Sequence, residues 1–435
     1  MEMIFSRRLR YCPRVPKAAL LSAAILFGSL PALSQDRLPE GNGKATIQRV
    51  CGLCHGLNQA TNRKMAREDW EWTLDRMLGY GAPVKKDEVP VVIDYLTASF
   101  PGPPRPKGVI IPGPVQATIK EWKIPTKGWR ARDPLIVPTG YVYYLGQFSN
   151  KLGRFNPETE EFKEWILKTP KSGPHGEAAD KDGNIWFTTN AANYLGKFNP
   201  KTEEITEYRM PDPKATGVHT PLFDKNGTLF FTLETGNMVG RMNTKTGVID
   251  LKTVPTPKAR PYGLVINSKG VPYFAEAGSG NLATFDPVTM EVKEFPMPGK
   301  VADAGCEVPG CTNAGVRRIG ITADDAIWYG DYNRGVLGRF DPKTGQFKEW
   351  PSPSGPLSAP YGMAGIGNVI WYNESGSNPN TIVRFDPATE KFQSWAVPSG
   401  GGAVRNMMVT PDGNLWIANS GADTIGRIEI KQPAK

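Results

Sequence analysis

Two thiols and an imidazole stand together at Cys51-Gly52-Leu53-Cys54-His55. Cysteines one helical turn apart can each form a thioether with a vinyl group of a porphyrin, and the next residue then places an imidazole under the iron. The spacing reads as covalent attachment of haem c, with His55 as fifth ligand to the iron. A second pair, Cys306 and Cys311, encloses Glu-Val-Pro-Gly with no histidine nearby in sequence, which favours a small-loop disulfide over a metal site. His175 and His219 are the only other histidines. Imidazole ordinarily titrates near neutrality, so both are candidate bases.

The chain begins with a segment that would carry these groups out of the cytoplasm. Arg7, Arg8, Arg10, Arg14 and Lys17 precede an apolar stretch of 13 residues, Ala18 to Leu30, and Ala32 and Ser34 supply small residues for cleavage. Thirteen residues is short for a membrane span. The expectation is a signal peptide over 1–34, the general secretory route, a periplasmic location and no stable membrane span after cleavage. Cys12 leaves with that segment. Haem c is attached outside the cytoplasm, so the two signals agree.

Composition narrows the rest. The chain has 435 residues, 39% hydrophobic and 22% charged, which excludes wholesale disorder. Its 47 glycines and 40 prolines favour many short strands over helical bundles. The formal charge of +9 falls to about +5 without the first 34 residues, and the excess is spread along the chain. No nucleic-acid partner is expected; the charge suits docking to an acidic periplasmic redox partner.

Residues 40–100 carry helical patterning around the cysteine motif. Lys44 to Val50 leads into it; Arg67 to Gly79 places Trp70, Leu74, Met77 and Leu78 at helical spacing; Lys86 to Phe100 follows, with Pro90 near its start. With Trp70 through Arg76-Met77 matching W-x-x-x-x-x-R-M, this resembles the small cytochrome c modules that accompany periplasmic dehydrogenase-type domains. The resemblance implies Met77 as sixth iron ligand, with Met65 as its competitor. A thioether there would raise the haem potential.

Residues 101–115, PGPPRPKGVIIPGPV, read as a stiff Pro-rich linker. Beyond it the chain repeats. Tyr143, Trp186, Phe230, Tyr273, Trp328, Trp371 and Trp416 recur at intervals of 43, 44, 43, 55, 43 and 45, the long interval containing the Cys306–Cys311 loop. Each unit offers four short strands, and five units carry Asx-Pro-x-Thr turns: Asn156-Pro157, Asn199-Pro200, Asp286-Pro287, Asp341-Pro342 and Asp386-Pro387. Seven such units over 116–431 predict a β-propeller. The last unit lacks an outer strand, and Ile119 to Trp122 matches it, so an N-terminal strand is expected to close the ring. The fold class is therefore multidomain: a small all-α cytochrome c domain followed by an all-β seven-bladed propeller.

Gly173-Pro174-His175-Gly176 with Asp182 to Thr188, and Asp412 to Trp416 with Ile425-Gly426-Arg427-Ile428, resemble the streptogramin B lyase (virginiamycin B lyase) family of seven-bladed propellers over about residues 116–430. The resemblance implies metal-assisted elimination that opens a cyclic depsipeptide, with histidines on the inner strands of two late blades and a glutamate after the aromatic strand. Glu374 matches the glutamate position. Ile319 and Tyr361 stand where the histidines belong, and His175 and His219 occupy the equivalent position in blades two and three.

The repeat register sets a ring of inner-strand residues around the axis: Arg132, His175, His219, Tyr262, Ile319, Tyr361 and Arg405, with Arg317 and Arg318 beside it. Three residues after the aromatic stand Glu276, Asp331 and Glu374 in blades four to six. A basic side and an acidic side suit a polar small-molecule substrate, with a divalent cation such as Mg on the acids and His175, His219 and Glu374 as catalytic candidates. Three functions follow. The first is a periplasmic haem protein in which the propeller binds substrate or partner and the haem transfers electrons. The second is a metal-assisted lyase or hydrolase with an appended haem domain, and the third a non-catalytic binding propeller.

Overall fold

The computed structural model describes residues 38–432 except 54–55, 58–60, 62, 80, 127–129, 300–308 and 310–313, and omits the side chains of residues 76 and 79. The expected signal segment, Cys54, His55 and the Cys306–Cys311 pair thus lie outside the described residues.

Among the described residues, three helices form a small N-terminal unit: α1 (Lys44–Cys51), α2 (Arg67–Gly79) and α3 (Glu88–Ser99). Ile47, Trp70, Leu74, Val92, Ile93, Tyr95, Leu96 and Phe100 make its core. Pro90 falls in the first turn of α3, where a missing N–H costs nothing. No helix among the described residues is long and apolar enough to cross a membrane.

Seven four-stranded antiparallel sheets follow, each a blade. Six are continuous in sequence. The seventh joins strand Gln116–Lys123 to Thr424–Lys431, register Ile119↔Ile428, so the two ends of the propeller chain share one sheet. That closing strand also mimics its counterparts in packing. Trp122 stacks on Trp416 at 5.5 Å, as Trp371 stacks on Trp395 and Trp186 on Tyr208, both at 5.3 Å. Stacked pairs of this kind contribute roughly 0.5–1.5 kcal/mol beyond area burial.

The repeated sequence signals have local causes. Each Asx-Pro turn is clamped by its own side chain: Asn156 Oδ1 accepts from Glu158 N at 3.0 Å, and Asp286 Oδ1 from Val288 N at 2.8 Å. The glycine of Leu-Gly-Lys/Arg-Phe makes room for a ring on the neighbouring strand. A Cβ at Gly196 would lie 2.1 Å from Phe187, and one at Gly338 2.0 Å from Tyr329.

The Pro-rich segment is a strap along blade six. Ile111 N donates to Ser394 Oγ at 2.8 Å, Asn378 N to Pro106 O at 2.9 Å, and Gln393 Nε2 to Val115 O at 3.2 Å. At its start Arg105 pairs with Asp69 of α2. Trp72, also on α2, seats against the propeller: a Cβ at Gly402 would come within 2.2 Å of its ring and one at Gly421 within 2.7 Å. Gly402 precedes the inner strand of blade seven (Val404–Val409) and Gly421 follows its second strand (Leu415–Asn419). The helical unit therefore docks at the end of the propeller where inner strands begin.

Candidate functional site

The inner strand of every blade starts with the same irregularity. Ala131, Pro174, Val218, Pro261, Val316, Pro360 and Val404 each pair with the last residue of the second strand, and the register then shifts. The residue after each is therefore equivalent around the axis: Arg132, His175, His219, Tyr262, Arg317, Tyr361 and Arg405. Blade five contributes Arg317 and not the expected Ile319, which is buried in the core with Val316 and Tyr329. Counting 11 residues back from Trp328, as in every other blade except the sixth, reaches Arg317 directly.

These side chains form a nearly continuous circuit. The His175 and His219 rings lie 3.9 Å apart between centroids, and His219 and Tyr262 lie 3.8 Å apart. Tyr262 and Tyr361 share a hydroxyl–hydroxyl hydrogen bond. Arg405 Nη1 donates to Tyr361 Oη at 3.4 Å and its Nε to Ser420 Oγ at 2.8 Å. Arg132 Nε donates to Gln147 Oε1 at 2.8 Å. The Arg317 guanidinium stands 5.7 Å from the Tyr262 ring and 5.2 Å from that of Tyr332.

One position further along the strands, Arg318 crosses the axis. Its Nη2 donates to both Asp133 oxygens at 2.7 Å and its Nη1 to Thr220 Oγ at 3.0 Å, linking blades five, one and three. Both members of the Arg318–Asp133 pair are 4% exposed. This bridge spans the channel beside the ring. The Thr220 hydroxyl lies 3.0 Å from Arg318 Nη1 and 2.8 Å from His219 Nδ1, and the arrangement in which it donates to Nδ1 leaves the imidazole proton on Nε2.

The electrostatics differ from a pair of titrating histidines. Burial, then Arg132 and His219, push His175 well below its ordinary range; burial, then Arg318 and Arg132, do the same to His219. Both rings are neutral at pH 7, so the expectation of near-neutral titration fails here. Tyr361 moves instead. Burial raises its phenol, but Arg405, Arg132, Arg317 and Arg318 together outweigh it and bring the group down to about 7. Burial and the neighbouring Tyr361 hold Tyr262 up as the neutral partner. Burial, then Arg405, draws Arg132 to about 10, which leaves it cationic at neutral pH.

The three acids do not assemble the expected cation site. Each ends a second strand; Asp331 and Glu374 are spent within their surroundings, while Glu276 is bonded at one oxygen and its buried Oε1 lacks a partner among the described residues. Glu276 accepts from Asn281 Nδ2 at 2.8 Å and from Ser279; Asp331 from Arg334 Nε at 2.7 Å and Gly315 N at 3.2 Å; Glu374 from Ser352 Oγ and Ser354 N at 2.8 Å. Among the described residues no three His, Cys, Asp or Glu side chains converge as metal ligands. The donors already present around each carboxylate explain why, and they make Glu374 a loop anchor at 0% exposure.

In the helical unit, Cys51 packs at the edge of the apolar core and Met77 is half-buried on α2. Met65 is engaged otherwise: its sulfur receives the Thr73 hydroxyl at 3.7 Å and its backbone pairs with Pro101.

Comparison with known proteins agrees with the propeller. Residues 110–305 match the Virginiamycin B lyase family profile. No curated protein matches the chain. Among solved structures, selenomethionine-substituted virginiamycin B lyase from Staphylococcus aureus superposes with a TM-score of 0.63 at 23% identity, over 72% of this chain and 99% of that one. A streptogramin B lyase gives 0.64 at 23%, over 72% and 98%. A catalytically inactive Staphylococcus aureus virginiamycin B lyase with quinupristin gives 0.62 at 22%, over 72% and 99%. At such identities the structural likeness speaks for the fold. The chain thus carries a seven-bladed β-propeller, of which residues 110–305 match the Virginiamycin B lyase family.

Proposed function

We propose that the chain is an exported c-type haem protein in which the propeller ring binds a small-molecule substrate and the helical unit exchanges electrons with a periplasmic redox partner. The observation that carries this reading is the seat of Trp72 on Gly402 and Gly421. It brings the helical unit to the end of the propeller that holds the ring, and Gly421 adjoins Ser420, the hydroxyl that holds Arg405. Cys51, Cys54, His55 and Met77 would hold the haem, a donor set of thiol, imidazole and thioether suited to its vinyl groups and iron. When bound, the haem supplies one-electron chemistry. The chain's own part is to orient substrate with Arg132 and Arg405, and to move a proton at the Tyr361 hydroxyl.

The test is protein secreted by a host competent in haem c maturation. The expected result is Soret absorbance that stays with the denatured chain, loses its covalent character when Cys51→Ala and Cys54→Ala are combined, and changes on reduction. Absence of that absorbance defeats the reading.

A second reading, a carbon–oxygen lyase, has its own support: a phenol brought to about 7 beside cationic guanidinium groups is the equipment of proton abstraction next to a developing anion. Turnover indifferent to haem oxidation state and abolished in Tyr361→Phe would select it.

A further inference from the structure

The axis is short of negative charge. Arg132, Arg317, Arg318 and Arg405 bring four guanidinium groups together. Asp133 is spent on Arg318, and burial, then Asp133, hold the nearby Glu177 carboxyl well above its ordinary range, toward the neutral form. The site also holds unused donors. Arg132 Nη1, His175 Nδ1 and His219 Nε2 are buried and lack hydrogen-bond partners among the described residues, on side chains 3%, 1% and 0% exposed. Buried polar groups left in that state carry a desolvation cost that a ligand would remove. With Thr220 donating to Nδ1, His219 Nε2 is a donor.

These features call for an acceptor with negative charge. The adjoining His175, His219 and Tyr262 rings, tilted 44° and 45° to one another, add an apolar face that an inorganic ion would leave uncovered. We propose that the ring binds a small organic carboxylate, its oxygens taken by Arg132, Arg405 and the imidazole N–H of His219, its carbon body laid against the His175, His219 and Tyr262 rings. Guanidinium forks match carboxylate geometry, and a charge-assisted pair in a buried site is stronger than one in water. The inference deepens the ring part of the proposed function and is independent of the haem: protein without Soret absorbance would fail the redox reading and still bind carboxylate.

An arriving carboxylate also changes the charge felt by Tyr361, which faces Arg405, Arg132, Arg317, Arg318, Tyr262 and Tyr332. New negative charge disfavours the phenolate, so binding near neutral pH is accompanied by proton uptake.

The experiment is calorimetric titration of the full secreted protein with benzoate, succinate and inorganic phosphate in buffers of different ionisation heat. Binding of benzoate or succinate is expected, weakened about tenfold or more in Arg132→Gln and in Arg405→Gln, the span of one charge-assisted hydrogen bond. The buffer-dependent heat is expected to vanish in Tyr361→Phe, which keeps the ring and removes only the hydroxyl. Should the Gln variants fail to fold, Arg405→Lys and Tyr361→Phe carry the same comparison. Failure of both carboxylates to bind, binding of phosphate alone, or affinities untouched by the arginine and tyrosine changes would overturn the proposal.

Discussion

Tyr262 and Tyr361 meet hydroxyl to hydroxyl across the propeller axis, blade four to blade six, with the Arg405 guanidinium 5.5 Å from the Tyr361 ring. The two phenols are alike chemically and are split by their surroundings, one held neutral and the other brought down to about 7. Such a pair titrates as a unit, and its ionised form is stabilised by the shared hydrogen bond and the arginines.

The split has a signed consequence for stability. An acid whose folded pKa is depressed leaves the unfolded chain holding more protons between the two values, so stability rises with pH there. For Tyr361 that window runs from about 7 to the ordinary phenol value near 10. Wild type is expected to gain stability over Tyr361→Phe as pH rises from about 7 to about 10, and the gap to close as pH falls through about 7. Urea melts of both proteins across that range measure it.

Glu276 runs the other way. Burial raises its carboxyl to about 7, against the opposing bond from Ser279. A raised acid contributes stability present below its unfolded pKa and lost as pH climbs through the folded one. Glu276→Gln keeps the shape without the charge, so it should melt at or above wild type at about pH 8 and lose that advantage at about pH 5. Thermal melts at the two pH values decide it. Because no three acids converge among the described residues, Mg or a chelator is expected to leave the propeller's melting temperature unmoved.

The Arg318–Asp133 bridge ties blade five to blade one at 4% exposure on both sides. Removing one partner strands a buried charge, a loss of roughly 3–5 kcal/mol in comparable pairs. Asp133→Ala is expected in that range by urea unfolding. The paired Asp133→Leu, Arg318→Met change should recover much of it, and the double-mutant cycle reads the coupling.

Trp72 binds the helical unit to blade seven without entering the propeller core. Trp72→Ala is expected to expose the segment around Arg105 to limited proteolysis while leaving the propeller's melting transition in place. Cleavage as slow as in wild type would show that the strap on blade six is sufficient by itself.

Much of this was legible in the chain. Repetition revealed the blades because each repeats one local solution: an Asx side chain closing a turn, a glycine under an aromatic ring, an aromatic stacked on the fourth strand. Trp122, before the first blade, showed the same stacking residue as the other outer strands and so marked the strand that pairs with Thr424–Lys431. Most of the ring was countable for the same reason. Blade five misled because the insertion hides the start of its inner strand, and Ile319 was read in place of Arg317.

The chain by itself determined which groups line the axis, since strand periodicity and repeat length are local properties written residue by residue. Only the closed propeller decided their states. Charge and hydrogen bonding depend on neighbours up to 185 residues apart, the separation of Arg318 from Asp133. Bringing four arginines together around buried phenols and imidazoles silenced the histidines and awakened Tyr361. The acids, which alternation in sequence had grouped, were separated into their own blades by donors that only the loops supply.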